Sequence, residues 1–186
     1  METKQQLMTA TLKLVARQGY ENVSIDDIAA ATDNTKGAVY HYFRSKHDLY
    51  KAALGCLAEQ LSTMSLVDLD ETGDVKDFLK ETLWNSLDVS AQPNIINGLS
   101  ISDLYYLFFD GIRRFPDIKP RLQALNRQYM SNVIEHVKHQ SAAGDESTTV
   151  ALQFLVWIEG LNLIQAMTGG LITKDDVSAM VDRFFD

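Results

Sequence analysis

Apolar positions recur at helical spacing along most of the chain. Met8, Leu12, Val15 and Ala16 fall at i, i+4, i+7 and i+8, which predicts a first helix, and Gly19 is placed to close it in a left-handed conformation. Ser24 is placed to cap a second helix, with Asp27 three residues on as an acidic relative of the capping box and Ile25, Ile28 and Ala29 inward. Thr32 to Thr35 reads as a turn, after which Thr35 caps a third helix running to about Tyr42. Ser45 caps a long fourth helix, on which Leu49, Ala53, Cys56, Leu57 and Met64 share a face.

The remainder continues in the same period. A loop over Asp68–Asp74 is followed by a fifth helix (about 75–90, with Phe78, Thr82 and Leu83) and a sixth (about 94–110, with Leu99, Leu104, Leu107 and Phe108). Gly111 to Pro116 interrupts the pattern. A seventh helix starts at Pro116 or Asp117 and carries Ile118, Leu122, Leu125, Tyr129, Val133 and Val137 on one stripe. After a turn at Ala143–Asp145, an eighth helix (about 147–168) ends at Gly169–Gly170, and a ninth occupies about 174–185. Period-two alternation is scarce, so the expected fold is all-α with about nine helices.

Charge divides the chain. The 186 residues carry a net charge of −8, which argues against a nucleic-acid ligand for the chain as a whole. Residues 1–51, however, hold seven Lys/Arg and six Asp/Glu, so the acidity belongs to the rest. DNA binding requires one basic face and not a basic protein. A single cysteine, Cys56, excludes an internal disulfide and points to a reducing compartment. The first residues lack the apolar stretch of a signal peptide. Val150–Met167 is interrupted by Gln153, Glu159, Asn162 and Gln165, so it does not read as a membrane span. A cytoplasmic location is expected.

The second and third predicted helices, joined by a four-residue turn, have helix-turn-helix spacing, in which the second helix enters the major groove by its N-terminal end. Thr35 supplies a hydroxyl there, Lys36 a charge, and Gly37 room for close approach. Ala38 can touch a thymine methyl, Tyr40 and His41 can donate to phosphates, and Lys46 is in reach of the same strand. With Ser24 these form the candidate DNA-facing set. Val39 and Phe43 point inward. The bland alternative is a small helical bundle with no DNA role.

The stretches Gln18-Gly19-Tyr20, Ser24-Ile25-Asp26-Asp27-Ile28-Ala29 and Lys36-Gly37-Ala38-Val39-Tyr40-His41-Tyr42-Phe43-Arg44-Ser45-Lys46 resemble the N-terminal domain of TetR-family transcriptional regulators. The resemblance is strong over roughly the first quarter of the chain and extends to the rest only in plan. It implies DNA-contact roles for Lys36, Gly37, Tyr40, His41 and Lys46, and a body that binds a small ligand and forms a homodimer. One departure is at the turn: the family has a glycine and then an aliphatic residue where this chain has Asp33 and Asn34. Asp and Asn tolerate a left-handed backbone, but an aspartate near phosphate should weaken binding. The expected division is a DNA-binding head at 1–47 and a ligand-binding and dimerisation body at 48–186.

In the body, the eighth helix is apolar nearly all round, which predicts burial on several sides and a partner subunit as its cover. The expected dimer seam comprises Phe154, Trp157, Ile158, Leu161, Val177, Val181 and Phe184; the alternative is the core helix of a monomer. Candidate pocket walls are Trp84, Leu104, Tyr105, Phe108, Phe109, Tyr129, Met130 and Met167, each of which can also be ordinary core. Asp103, Gln153, Glu159 and Asn162 are polar groups in apolar runs. Glu159 is read either as a ligand anchor or as a structural pair across the seam. His136 and His139 read as a solvated face rather than a metal site. No catalytic constellation or cofactor motif is apparent. The expected protein is thus a homodimeric repressor, released from a double-stranded DNA operator by a small hydrophobic effector. The rivals are a helical apolar-ligand carrier or enzyme whose head no longer reads DNA, and a redox sensor acting through Cys56.

Overall fold

The computed structural model describes residues 3–63, 75–87, 98–140 and 147–185. They form helices α1 (Thr3–Gln18), α2 (Ile25–Ala30), α3 (Lys36–Tyr42), α4 (Lys46–Thr63), α5 (Val75–Leu87), α6 (Ile101–Arg114), α7 (Lys119–Gln140), α8 (Ser147–Thr168) and α9 (Lys174–Phe185). A 3-10 turn spans Tyr20–Asn22. The fold is all-α, with no strand among the described residues. The expected loop at Asp68–Asp74, the face position Met64, the turn at Ala143–Asp145 and the first residues assigned to the sixth helix (94–97) lie outside the described residues.

The chain forms two compact units. One comprises Met1–Ser62 with Asn94–Leu125, the other Thr63–Pro93 with Asn126–Asp186. In the first unit, α1 lies against α2 and α6. Leu7, Leu12 and Val15 of α1, Ile28 of α2, Val39 of α3, Leu49, Tyr50 and Ala53 of α4, and Leu107 and Phe115 at α6 make one core. Gly19 ends α1 with φ +80° and ψ 148°, a positive-φ conformation but not the left-handed helical one expected. It is nevertheless a backbone that suits glycine.

Two expectations fail at α6. The helix begins at Ile101, because Ser100 and Asp103 form a capping box there. It then runs through Gly111 to Arg114 instead of breaking at that glycine. Gly111 is buried because α4 crosses close by: a Cβ at this position would lie 2.8 Å from Leu54 Cδ1. The following turn ends at Ile118, so α7 starts at Lys119, later than the expected Pro116 or Asp117, with Pro120 in its first turn. Ion pairs Lys51–Asp117 and Arg121–Glu59 tie this segment to α4.

The second unit packs α5 against α8 and α9. Phe78, Leu79, Leu83 and Leu87 meet Val150, Ala151, Phe154, Leu155 and Ile158, with Val177 and Val181 completing the core. The Phe78 and Phe154 rings lie 5.9 Å apart. Thr173 and Asp176 cap α9 reciprocally, and Lys80 of α5 pairs with Asp182 of α9 at 2.6 Å. By length and composition alone, Thr149–Thr168 could cross a membrane. Its residues Ala151, Phe154, Leu155 and Ile158 instead supply much of the unit's core.

Candidate nucleic-acid interface

The helix-turn-helix is built by short-range polar bonds. Ser24 caps α2: its N–H and hydroxyl donate to Asp27 Oδ2 at 2.8 and 2.6 Å, and the Asp27 N–H donates back to Ser24 Oγ at 3.1 Å. The Ser24 hydroxyl, and then its backbone N–H, hold the Asp27 carboxyl below the usual carboxylate range. The turn keeps its shape without glycine. Asp33 adopts φ +52°, the one positive-φ non-glycine position among the described residues. The Asn34 N–H donates to the Ala29 carbonyl at 2.9 Å and its side-chain amide to the Thr32 carbonyl at 2.8 Å. Polar bonds thus hold the turn at the position where the resemblance implies an aliphatic residue.

Thr35 caps α3, its hydroxyl accepting from the Ala38 N–H at 3.2 Å. Val39 is the buried residue of α3, and Phe43, just beyond it, is buried as expected. Lys36, Gly37, Tyr40, His41 and Tyr42 are exposed and Ala38 is half-buried. A Cβ at Gly37 would meet only Thr35 Oγ1, at 3.8 Å, so the protomer itself does not require glycine there. Seven residues with a single inward anchor therefore present most of their surface outward, with an amine, an imidazole and phenols on it and the Thr35 hydroxyl just before them.

Two of the candidate cations are engaged within the protein. Lys36 Nζ lies 2.9 Å from Asp26 Oδ2, with both side chains more than half exposed. The Asp26 carboxylate raises the Lys36 pKa. Lys46 Nζ donates to the Tyr20 and Val23 carbonyls, each at 2.7 Å, and sits 4.1 Å from the centre of the Tyr20 ring. An ammonium has three protons, so one N–H of Lys46 remains for another acceptor.

Tyr20 also carries a second cation, the Arg114 guanidinium, 3.9 Å from the ring centre. Arg114 donates to Glu21 at 2.7 Å and to both oxygens of Asp110 at 3.2 Å, while the Tyr50 hydroxyl donates to Asp110 at 3.1 Å. Burial, followed by the Asp110 charge, pushes the Tyr50 phenol far up; the Asp110 hydrogen bonds do the same for Arg114. This network fastens the Tyr20–Asn22 turn to α6. Local sequence patterns do not predict it, because its long-range partners are separated by 60 to 94 positions.

The candidate ligand residues fall in both units. In the first unit, Tyr105 stacks near Phe109 at 6.4 Å, Phe108 meets Phe109 edge-on at 6.2 Å, and Phe109 is 63% exposed. Asp103, an acidic residue in an apolar run, is accounted for locally, since it accepts the Ser100 N–H and hydroxyl, both at 2.8 Å. In the second unit, Trp84 is half-buried against the core, and Met167 is 78% exposed. Glu159 is exposed in the protomer, on a side of α8 turned away from its own core. The side chains of Tyr129, Met130, His136 and His139 lie outside the described residues.

The expected subunit face needs correction. Phe154, Ile158, Val177 and Val181 are buried inside the protomer at 0, 6, 1 and 0% exposure, where they form a core with α5. Their side chains are turned into the protomer's own core. Trp157 and Leu161 are half-buried, and Phe184, 37% exposed, packs edge-on against Trp157 at 5.1 Å. The exposed apolar residues of α8 are Leu152, Val156, Leu163, Ile164 and Met167. Leu152, Val156, Leu163 and Met167 follow a spacing of four, seven and four, one line along the helix.

Residues 7–53 match the family model described as bacterial regulatory proteins of the tetR family. The HTH-type transcriptional regulator SrpR of Pseudomonas putida is 22% identical over 97% of this chain and 80% of its own length. Among solved structures, the reduced form of E. coli NemR covers 98% of this chain and 97% of its own, at TM-score 0.71 and 16% identity. AibR, solved in complex with isovaleryl coenzyme A and operator DNA, covers 98% and 97% at TM-score 0.60 and 19% identity. The relatives are regulators and not enzymes. A capped helix-turn-helix with an outward-facing α3 coincides with the matched segment: residues 7–53 form a tetR-family N-terminal domain, and the chain as a whole has the fold of these solved transcriptional regulators.

Proposed function

We propose that the chain works as a homodimeric repressor in the cytoplasm, binding a double-stranded operator and released from it by a small hydrophobic ligand. The observation that carries the DNA half is α3, anchored by Val39 alone and otherwise turned to solvent with Lys36, Tyr40 and His41 on its surface. Thr35, at the N-terminal end that enters the groove, caps the helix and keeps its hydroxyl proton free to donate. Ser24, Gly37, Ala38 and the remaining proton of Lys46 complete the surface offered to the duplex. The polar closure of the Asp33–Asn34 turn supports a reading head over a vestigial one.

The dimer half rests on α8. Its exposed line of Leu152, Val156, Leu163 and Met167 is an apolar surface that a second copy can cover with the same line. In a dimer of this class the two recognition helices sit about one DNA turn apart, ~34–36 Å. Ligand responsiveness is drawn from AibR, whose structure holds both an acyl-coenzyme A and operator DNA. The aromatic group of half-buried Tyr105 and Phe108 with exposed Phe109 is a suitable apolar contact for such a molecule. Trp84, Tyr129, Met130, Glu159 and Met167 remain candidates on the body side. In this reading residues 1–47 form the head and 48–186 the body. A ligand releases the operator only by binding the two states of the protein unequally.

The deciding experiment is selection of bound duplexes from a random pool, followed by a mobility-shift titration of the enriched sequence. Enrichment of a two-fold symmetric site with half-sites about one turn apart is expected. Failure to enrich any sequence at low salt would overturn the reading.

A further inference from the structure

The ion pair between Lys36 and Asp26 has a consequence for DNA binding that goes beyond holding two helices together. Lys36 is the first residue of α3 and Asp26 the second of α2, ten positions earlier. Lys36 Nζ stands 2.9 Å from Asp26 Oδ2, and the two side chains are 53% and 67% exposed. Both groups therefore face water on the side where a duplex would dock, and neither is held by packing. An ammonium paired with a carboxylate has already found its counter-charge. To neutralise a phosphate it must leave that carboxylate behind or share itself, and the carboxylate repels the incoming backbone. An exposed pair of this kind is favoured over its open form by about fivefold or less, so it can open.

We propose that Asp26 is an affinity-determining residue, an internal competitor that occupies Lys36 in the free protein and opposes its transfer to DNA phosphate. This rests on the reading that α3 meets DNA. Asp26 thereby lowers operator affinity and shallows its salt dependence. When Lys36 moves to a phosphate, a cation leaves the DNA but another is drawn to the uncovered carboxylate. The net ion release at this position is then close to nothing, against ~0.9 for an unpaired lysine. Asp27 does not share this role, since its carboxylate is engaged by Ser24 in the capping box.

The test uses the full chain and the duplex enriched by the native protein, titrated across a salt series. Asp26→Asn should tighten binding by about three- to tenfold, with the gain largest at low salt and the log–log salt slope steeper by about 0.9. Asp26→Glu, which restores the charge, should return both values towards native. Lys36→Met should weaken native binding less than about twofold, yet remove the whole gain in the Asp26→Asn background. A native protein that retains no duplex at low salt defeats the DNA reading itself. A native protein that binds, with Asp26→Asn binding no tighter and with an unchanged slope, defeats the competitor alone. Weaker binding by Asp26→Asn also defeats it, because the pair would then be positioning Lys36 for the phosphate.

Discussion

Helices α3 and α8 both leave a broad face uncovered by their own chain, and the two faces differ in chemistry. α3 is seven residues long and buries Val39; what it turns outward is an amine, an imidazole, phenols and a glycine. α8 is 22 residues long and fills its unit's core on one side, yet it turns Leu152, Val156, Leu163, Ile164 and Met167 to solvent on the other. A polar face with little internal packing suits a hydrated polyanion, which supplies charge and hydrogen-bond acceptors. An apolar line suits a surface with the same need to leave water. Exposure alone therefore does not identify a partner; the chemistry of the exposed atoms does.

The comparison can be broken most severely on α8, whose two sides should respond in opposite ways. Phe154→Ala, on the inner side, should cost about 3–5 kcal/mol of stability, read by denaturant unfolding. Val156→Glu, two positions on and 65% exposed, should leave the far-ultraviolet spectrum native while weakening self-association by at least about 100-fold, or ~2.7 kcal/mol. Sedimentation of the Val156→Glu variant as an unaltered dimer would place the subunit contact elsewhere. On α3 the effects should be smaller and local. Thr35→Ala removes the cap, costs about 1 kcal/mol and lowers operator affinity in proportion to the fraying of the first turn. Asp33→Gly should stabilise the head by less than about 1 kcal/mol, since glycine adopts the positive φ freely but gains freedom when unfolded. It should also tighten DNA binding, because a negative charge leaves the turn.

The smallest effect concerns acid. The Asp27 carboxyl is held below its ordinary value of 3.8 by Ser24. A depressed native pKa stabilises above the unfolded value and loses that contribution as pH falls through the native one. Acid unfolding of Asp27→Asn followed from about pH 5 downward should therefore be less steep below about pH 3.8 than that of the native chain.

What is legible in the sequence follows the range of the interaction. Caps act over three residues, so Ser24, Thr35 and Ser45 mark α2, α3 and α4 correctly from a linear string. The Ser100–Asp103 pair has the same spacing and the same chemistry as Ser24–Asp27, so the start of α6 is equally legible; the apolar neighbours of Asp103 draw attention away from the serine before it. The inward side of α8 is not legible, because a helix with apolar residues around most of its circumference has no polar stripe to show which way it faces. The contacts of Tyr50 with Asp110 and of Tyr20 and Glu21 with Arg114 leave no linear trace, since they join distant segments of the chain. The charge of Lys46 is visible in the string, but its bonds to the carbonyls of Tyr20 and Val23 depend on the path of the backbone between α1 and α2.

The crossing of α4 and α6 at Gly111 and Leu54 behaves as a joint with little backlash. Most helix crossings meet side chain to side chain, where rotamers can absorb a small slide before anything beyond them moves. Here one member has no side chain to swing, and Leu54 reaches nearly to the backbone of α6. A slide of α6 past this point presses on Leu54 directly. Leu54 lies eight residues, about 12 Å of helix, from Lys46 at the start of α4. Adding one methyl at position 111 would press on the end of the Leu54 side chain, so Gly111→Ala should first turn Leu54 aside and only then displace α6 against α4. Whatever slack the contact has lies in the rotamer of that one leucine.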